Sequence, residues 1–167
     1  DASMAIDEMG LAVRRTRIGD TWVSEELRHG GDFGGETSGC WIFPEISLCP
    51  DGIYAAALIT RMAAGRKLSE LVDSIQSYPL LRHSINGSIG PLSRVEEEMM
   101  RLKPVSVDAT DGLKLNFTDG WILVRPSGTE PKVRLTAEGK TEERAQYLMD
   151  AALAAVNHSI AAGGASL

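Results

Sequence analysis

Cysteine is scarce in this chain: two, Cys40 and Cys49, among 167 residues. Their spacing does not match the Cys-x-x-Cys of a metal or redox pair, and the three histidines, His29, His83 and His158, stand apart from them and from one another. A zinc site is therefore not expected, and two thiols kept reduced in the cytoplasm fit better than a disulfide framework. An excess of positive charge is also missing, with 17 Lys and Arg against 23 Asp and Glu and a net charge of −6. Nucleic acid and acidic membranes require clustered cations, so neither is an expected partner. No apolar run reaches the ~18 residues of a membrane span. The opening Asp-Ala-Ser-Met-Ala-Ile-Asp lacks the basic and apolar regions of a signal peptide. It also lacks an initiating Met and runs directly into amphipathic sequence, so the chain reads as a piece of a longer protein.

What is present is a globular balance, 43% hydrophobic and 24% charged, sufficient for one ordinary domain or two small ones. Residues 3–9 read as the end of a helix stopped by Gly10, and residues 11–18 as a strand. Helical spacing returns over 21–29, with Trp22, Val23 and Leu27 on one side. Five glycines, Gly30, Gly31, Gly34, Gly35 and Gly39, then crowd the segment between His29 and Cys40, flanked by strand pieces at Phe33 and at residues 41–43. Asp51 is a suitable cap for a helix over 52–64 whose inner face would be Ile53, Ala56, Ala57, Thr60 and Met62. A second helix begins at the capping residue Ser69 and carries Leu71, Val72 and Ile75.

The pattern changes at residues 77–79. Residues 80–85 are strand-like, Ser93 caps an acidic helix through Leu102, and Pro104 closes it. Strands follow at 105–108 and 113–117, with a turn at 110–112 between them. Asp119-Gly120 signals a hairpin into residues 121–124. Residues 132–136 form a further strand, and Thr141 starts a long helix with Ala145, Leu148, Met149, Ala152 and Val156 at core spacing. The expected architecture is α/β in two small units. A mixed-sheet α/β unit occupies 1–77, and an α+β unit with an antiparallel sheet packed by helices occupies 78–161. The small residues of 162–167 form a flexible tail.

Between two of these strands stands Arg-Pro-Ser-Gly-Thr-Glu-Pro, residues 125–131. Arg125 offers a planar fork of donors that matches phosphate oxygens. Ser127 and Thr129 add hydroxyls, and Gly128 leaves its backbone N–H open to close approach. The prolines fix φ on either side and pre-order the loop. Arg134, in the following strand, could return toward the loop as a second cation. On chemistry alone the segment is either a phosphate grip or a tight, proline-braced hairpin with solvated polar residues. It is not a Walker loop, because Gly-Lys-Ser/Thr is absent.

The same seven residues, followed three positions later by Arg134, resemble the phosphate-binding signature of the α-D-phosphohexomutase superfamily, which includes phosphoglucomutases, phosphomannomutases and phosphoglucosamine mutases. Asp111-Gly-Leu-Lys-Leu before the loop, Asp119-Gly-Trp-Ile-Leu-Val leading in, and Lys140-Thr-Glu-Glu-Arg-Ala after it are similar to that family as well. Gly-Glu-Thr-Ser-Gly, residues 35–39, resembles the family's sugar loop, Gly-Glu-x-Ser-Gly-His. The resemblance implies that Glu36 and Ser38 bind sugar hydroxyls. Cys40 occupies the position where the family usually has His, and a thiol is a weaker hydrogen-bonding group than imidazole. Thr16-Arg-Ile-Gly-Asp20 resembles the family's Thr-x-Val-Gly-Asp turn, which would bring Gly19 and Asp20 to the substrate.

The resemblance makes the first unit most of the family's third domain and the second unit its fourth. It implies an enzyme that interconverts hexose 1-phosphate and hexose 6-phosphate through a bisphosphate. The family's phosphoserine loop and its magnesium-binding Asp-Gly-Asp-Gly-Asp loop belong to the first two domains. Neither motif occurs here, so the expected partners are a hexose phosphate and the missing amino-terminal domains. The implied cofactor, Mg2+, would bind outside this chain, and the piece alone would be inactive. The rival expectation is a non-catalytic phosphosugar-binding or regulatory module.

Overall fold

The computed structural model describes residue 6 and residues 9–87 and 89–163. Within it the chain divides into two compact units, with the boundary between Ser77 and Tyr78. The helix expected over 3–9 falls mostly outside the described residues; Ile6 is helical and residues 9–10 turn.

The first unit contains α1 (Asp20–Leu27), β1 (Gly34–Gly35), β2 (Trp41–Ile42), α2 (Gly52–Ala63) and α3 (Leu68–Asp73). β1 and β2 form a short antiparallel ladder that pairs Gly34 with Ile42 and Gly35 with Trp41. Gly34 is needed because α1 packs directly on it: an added Cβ would stand 2.5 Å from Val23 Cγ1 and 2.7 Å from Leu27 Cδ1. Phe33, Trp41, Phe43 and Tyr54 form a chain of aromatic contacts, the closest being Phe43 to Tyr54 at 4.9 Å between ring centroids. α2 starts as expected, with the Asp51 carboxylate accepting the Tyr54 N–H at 2.8 Å.

Three expectations for this unit are corrected. Residues 11–17 are not a strand: among the described residues no second strand pairs with them, and the Leu11 N–H turns back to the Ile6 carbonyl at 3.4 Å. The inner face of α2 is set by Ala55, with Leu58 and Ile59 half-buried, whereas Ile53, Ala56, Ala57, Thr60 and Met62 are exposed. Helical spacing identifies apolar positions but not which of two adjacent faces the rest of the unit covers. Ser69 lies inside α3 rather than capping it, since Lys67 holds the cap position without a side-chain bond.

The second unit is built on a five-stranded antiparallel sheet in the order β3-β7-β6-β5-β4. Its strands are β3 (Leu80–Asn86), β4 (Ser106–Asp108), β5 (Leu113–Phe117), β6 (Gly120–Pro126) and β7 (Lys132–Gly139). α4 (Leu92–Met99), a 3-10 turn (Met100–Leu102) and α5 (Glu142–Gly163) complete it. The alternation Leu113, Leu115 on β5, Ile122, Val124 on β6 and Val133, Leu135, Ala137 on β7 lays one continuous apolar face against Val95 and Met99 of α4 and Leu148, Met149, Ala152, Ala155 and Val156 of α5. Each large aliphatic side chain so buried contributes roughly 1.5–3 kcal/mol relative to exposure. Ser93 is the second residue of α4, not its cap; Pro91 takes that position, where its fixed φ leads into the helix without a side-chain bond. Thr141 caps α5 by accepting the Arg144 N–H at 3.2 Å.

The opposite face of the sheet is polar. Strand alternation places Lys114, Trp121, Arg125, Arg134 and Glu138 on it. Lys114 and Glu138 are buried nonetheless. Trp121 Nε1 donates to Glu138 Oε1 at 2.9 Å, and Lys114 Nζ sits 4.1 Å from the centre of the Trp121 ring, so opposite charges bracket the indole. Among the described residues no helix is long and apolar enough to cross a membrane.

Candidate functional site

In the first unit the loop between β1 and β2 brings two of the expected residues together. The Gly19 N–H donates to Glu36 Oε1 at 2.7 Å. Gly19 reaches this position at φ +127, a conformation that side chains rarely adopt. The Glu36 N–H donates to the Cys40 carbonyl at 3.1 Å and the Gly39 N–H to the Glu36 carbonyl at 3.0 Å, which closes residues 36–40 into a tight turn. Ser38 is exposed on that turn, and Cys40 is a half-buried free thiol. Asp20 is the first residue of α1 and its carboxylate turns back on Thr21, accepting the backbone N–H at 2.8 Å. It is thus engaged in helix initiation, while Gly19 is held against Glu36.

In the second unit β6 and β7 deliver the loop of residues 127–131. The Ser127 N–H donates to the Lys132 carbonyl at 2.8 Å and closes its base. The Pro131 carbonyl accepts the Gly87 N–H at 2.8 Å, tying the loop to the end of β3. Above that base the polar groups are open: among the described residues the N–H groups of Gly128, Thr129 and Glu130 and the hydroxyls of Ser127 and Thr129 have no hydrogen-bond partner. An added Cβ on Gly128 would meet nothing within 4 Å.

Arg125 and Arg134 are directly opposite residues in the β6–β7 register. Like charges in that relation are unfavourable. Two carboxylates moderate the repulsion. Asp111 Oδ2 lies 3.1 Å from Arg125 Nε, both side chains being about three-quarters buried. Glu130 Oε2 lies 3.3 Å from Lys132 Nζ and 3.9 Å from Arg134 Nη2 among more exposed groups, where an ion pair contributes little. A pair of opposed guanidiniums beside a loop of unmet donors is suited to a compact anion. Reading the sequence missed Asp111 as a partner of Arg125; its one signal was the Asp-Gly turn placed before a strand that would run beside Arg125. The buried Lys114, Trp121 and Glu138 cluster was also missed, although alternation puts all three on one face.

Comparison with known proteins accounts for both units. Residues 2–78 match the model for phosphoglucomutase/phosphomannomutase, alpha/beta/alpha domain III, and residues 92–155 match the model for the C-terminal domain of the same proteins. The chain belongs to the phosphoglucomutase/phosphomannomutase family. Among its relatives, a probable phosphoglucosamine mutase of Methanocella arvoryzae is 45% identical over 96% of this chain and 38% of the relative. A probable phosphoglucosamine mutase of Methanopyrus kandleri is 44% identical over 90% of the chain and 35% of the relative. This member of the family therefore spans little more than a third of the length of those relatives. The crystal structure of a phosphoglucomutase/phosphomannomutase family protein from Burkholderia thailandensis covers 86% of the chain, and the chain covers 32% of it, with a TM-score of 0.68 at 22% identity. That likeness agrees with the α/β class and with an antiparallel sheet packed by helices. Family membership also brings the question of a magnesium site. Among the described residues no three His, Cys, Asp or Glu side chains gather as a metal-binding group, so no metal-dependent step is assigned to this chain's residues.

Proposed function

We propose that this chain is the substrate-holding part of a phosphohexomutase whose substrate is glucosamine phosphate, interconverted between its 1- and 6-phosphates through a bisphosphate. The observation that carries the reading is the loop at 127–131, where unmet donors on Gly128 and Thr129 adjoin the opposed pair Arg125 and Arg134. In this reading Arg125, Ser127, Gly128, Thr129 and Arg134 hold the phosphate that is not being transferred. Glu36 and Ser38 hold sugar hydroxyls, Gly19 fixes the Glu36 carboxylate, and Asp20 and Cys40 border the sugar. The phosphoserine that donates and accepts the phosphoryl group, with its Mg2+, lies in domains outside this chain. Phosphoryl transfer depends chiefly on positioning and charge stabilisation, and positioning is the part these residues supply. The family names of the relatives support the activity, and their description as probable phosphoglucosamine mutases supports the choice of sugar.

The test is a panel of glucosamine, glucose and mannose 6-phosphates on the complete protein with magnesium, compared by kcat/KM. Glucosamine 6-phosphate is expected to lead by about tenfold or more, because its 2-ammonium can make a charge-assisted hydrogen bond where the 2-hydroxyls of glucose and mannose make a neutral one. A preference for another hexose overturns the choice of substrate. Phosphosugar binding with no turnover of any of the three would make the protein a binding module instead. The chain by itself is expected to bind without turnover.

A further inference from the structure

Asp111 has no part in the reading above, yet it is in direct contact with the cation at the root of the loop. Its Oδ2 lies 3.1 Å from Arg125 Nε. The contact is made at Nε, which carries one of the guanidinium's five N–H donors; the other four are on the two Nη groups. The turn that carries Asp111 is built to stay in place. The Thr110 N–H donates to Asp108 Oδ1 at 2.8 Å. Gly112 adopts φ +94, and an added Cβ there would stand 2.7 Å from the Val124 carbonyl and 3.2 Å from Arg125 Cα and Cβ. The backbone of the turn thus lies against Arg125 itself. On the other side, Arg134 opposes Arg125 across the ladder and tends to drive the two guanidiniums apart.

We propose that Asp111 is a positioning residue for phosphate recognition: it anchors Arg125 by its Nε edge so that the Nη edge is presented, with the donors of residues 127–129, to a phosphomonoester dianion. The inference rests on the reading of residues 125–131 as a phosphate grip. It also reverses the sign expected from charge alone. A carboxylate beside an anion site repels the anion, so removing Asp111 should tighten binding if charge were its whole effect. If it positions Arg125, removal weakens binding.

The experiment is a titration of the 15N-labelled chain with inorganic phosphate and with glucosamine 6-phosphate. The wild-type chain is expected to shift the Arg125 Nε–H resonance and the amides of Gly128 and Thr129. In Asp111→Ala the affinity falls about tenfold, the order expected when a partly buried ion pair that orients the cation is lost, and the Arg125 Nε–H resonance loses its distinct position. Asp111→Asn keeps an acceptor for the Nε–H and stays within about threefold of wild type. The double variant Asp111→Ala/Arg125→Ala binds no more weakly than Arg125→Ala, because the first residue acts through the second. Amide shifts of Leu115, Ile122 and Leu148 report that the fold is intact in each case. Binding in Asp111→Ala that equals or exceeds wild type overturns the inference, and loss in Arg125→Ala then leaves the phosphate reading standing. Absence of any loop shift in the wild-type chain overturns both.

Discussion

The two loops that the sequence marks as ligand-binding candidates differ in how far their key groups are already engaged. In the first unit, residues 36–40 are tied across the turn by two backbone bonds, and the Glu36 carboxylate is already met by the Gly19 N–H, while among the described residues the Thr37 and Ser38 hydroxyls have no hydrogen-bond partner. In the second, residues 127–131 are bonded at the base and leave donors open above it. The units that carry them differ in the same sense. The second has one continuous core of strands and helices, whereas among the described residues the buried apolar ones of the first are Leu27, Ile42 and Ala55. Donors held on a stiff antiparallel sheet keep the geometry a ligand needs, because the element beneath them does not move.

The largest effect should come from the core of the second unit. Leu148 is fully buried, and Leu148→Ala is expected to cost about 2–5 kcal/mol, read from hydrogen exchange of the β6 and β7 amides. Met62 on α2 is 49% exposed, and Met62→Ala should fall within about 0.5 kcal/mol. Equal costs would erase the contrast between the units. Two glycines sharpen it next. A Cβ on Gly139 would stand 2.5 Å from Ala145 N and 2.9 Å from Thr141 O, backbone atoms that cannot swing aside, so Gly139→Ala is expected to cost about 1–3 kcal/mol. Gly128→Ala meets open space and should leave thermal stability unchanged while weakening phosphate binding. Asp51→Ala removes the cap of α2 and should cost about 1 kcal/mol, measured as faster exchange of the first-turn amides.

The smallest effect concerns Glu143, in the first turn of α5. Its own backbone N–H, and then the Thr141 hydroxyl, hold its carboxyl below the ordinary carboxylate value. A lowered folded-state pKa contributes stability above the unfolded value that is lost as pH falls through the folded one. The Tm difference between wild type and Glu143→Gln should therefore be small at neutral pH and shrink on acidification below the carboxylate range. A difference that grows on acidification would reverse this assignment.

The parts of the fold that were legible in the sequence are those specified locally. The alternation of residues 113–117, the two-residue connection into β6, the Asp51 cap and the position of the 125–131 loop between two strands all follow from neighbours in the chain. What was not legible depends on partners distant in sequence. Residues 11–17 have strand composition but, among the described residues, no strand beside them, and α2 covers Ala55, Leu58 and Ile59 rather than the face that helical spacing alone suggests. Ser69 and Ser93 have capping chemistry, yet the helices begin earlier, at Leu68 and Leu92. In the candidate site the loop residues were visible as a motif, while the ion pair of Asp111 with Arg125 was not, since it depends on which strands pair.

The central claim, that residues 125–131 grip the phosphate of a phosphosugar, is tested most directly by a crystal structure of the chain grown with saturating glucosamine 6-phosphate. The account predicts phosphate oxygens at roughly 2.7–3.2 Å from the Nη groups of Arg125, the Gly128 N–H and the Thr129 hydroxyl, with Asp111 still on the Nε edge. Phosphate bound elsewhere, with the loop empty and Arg125 turned away, would contradict it.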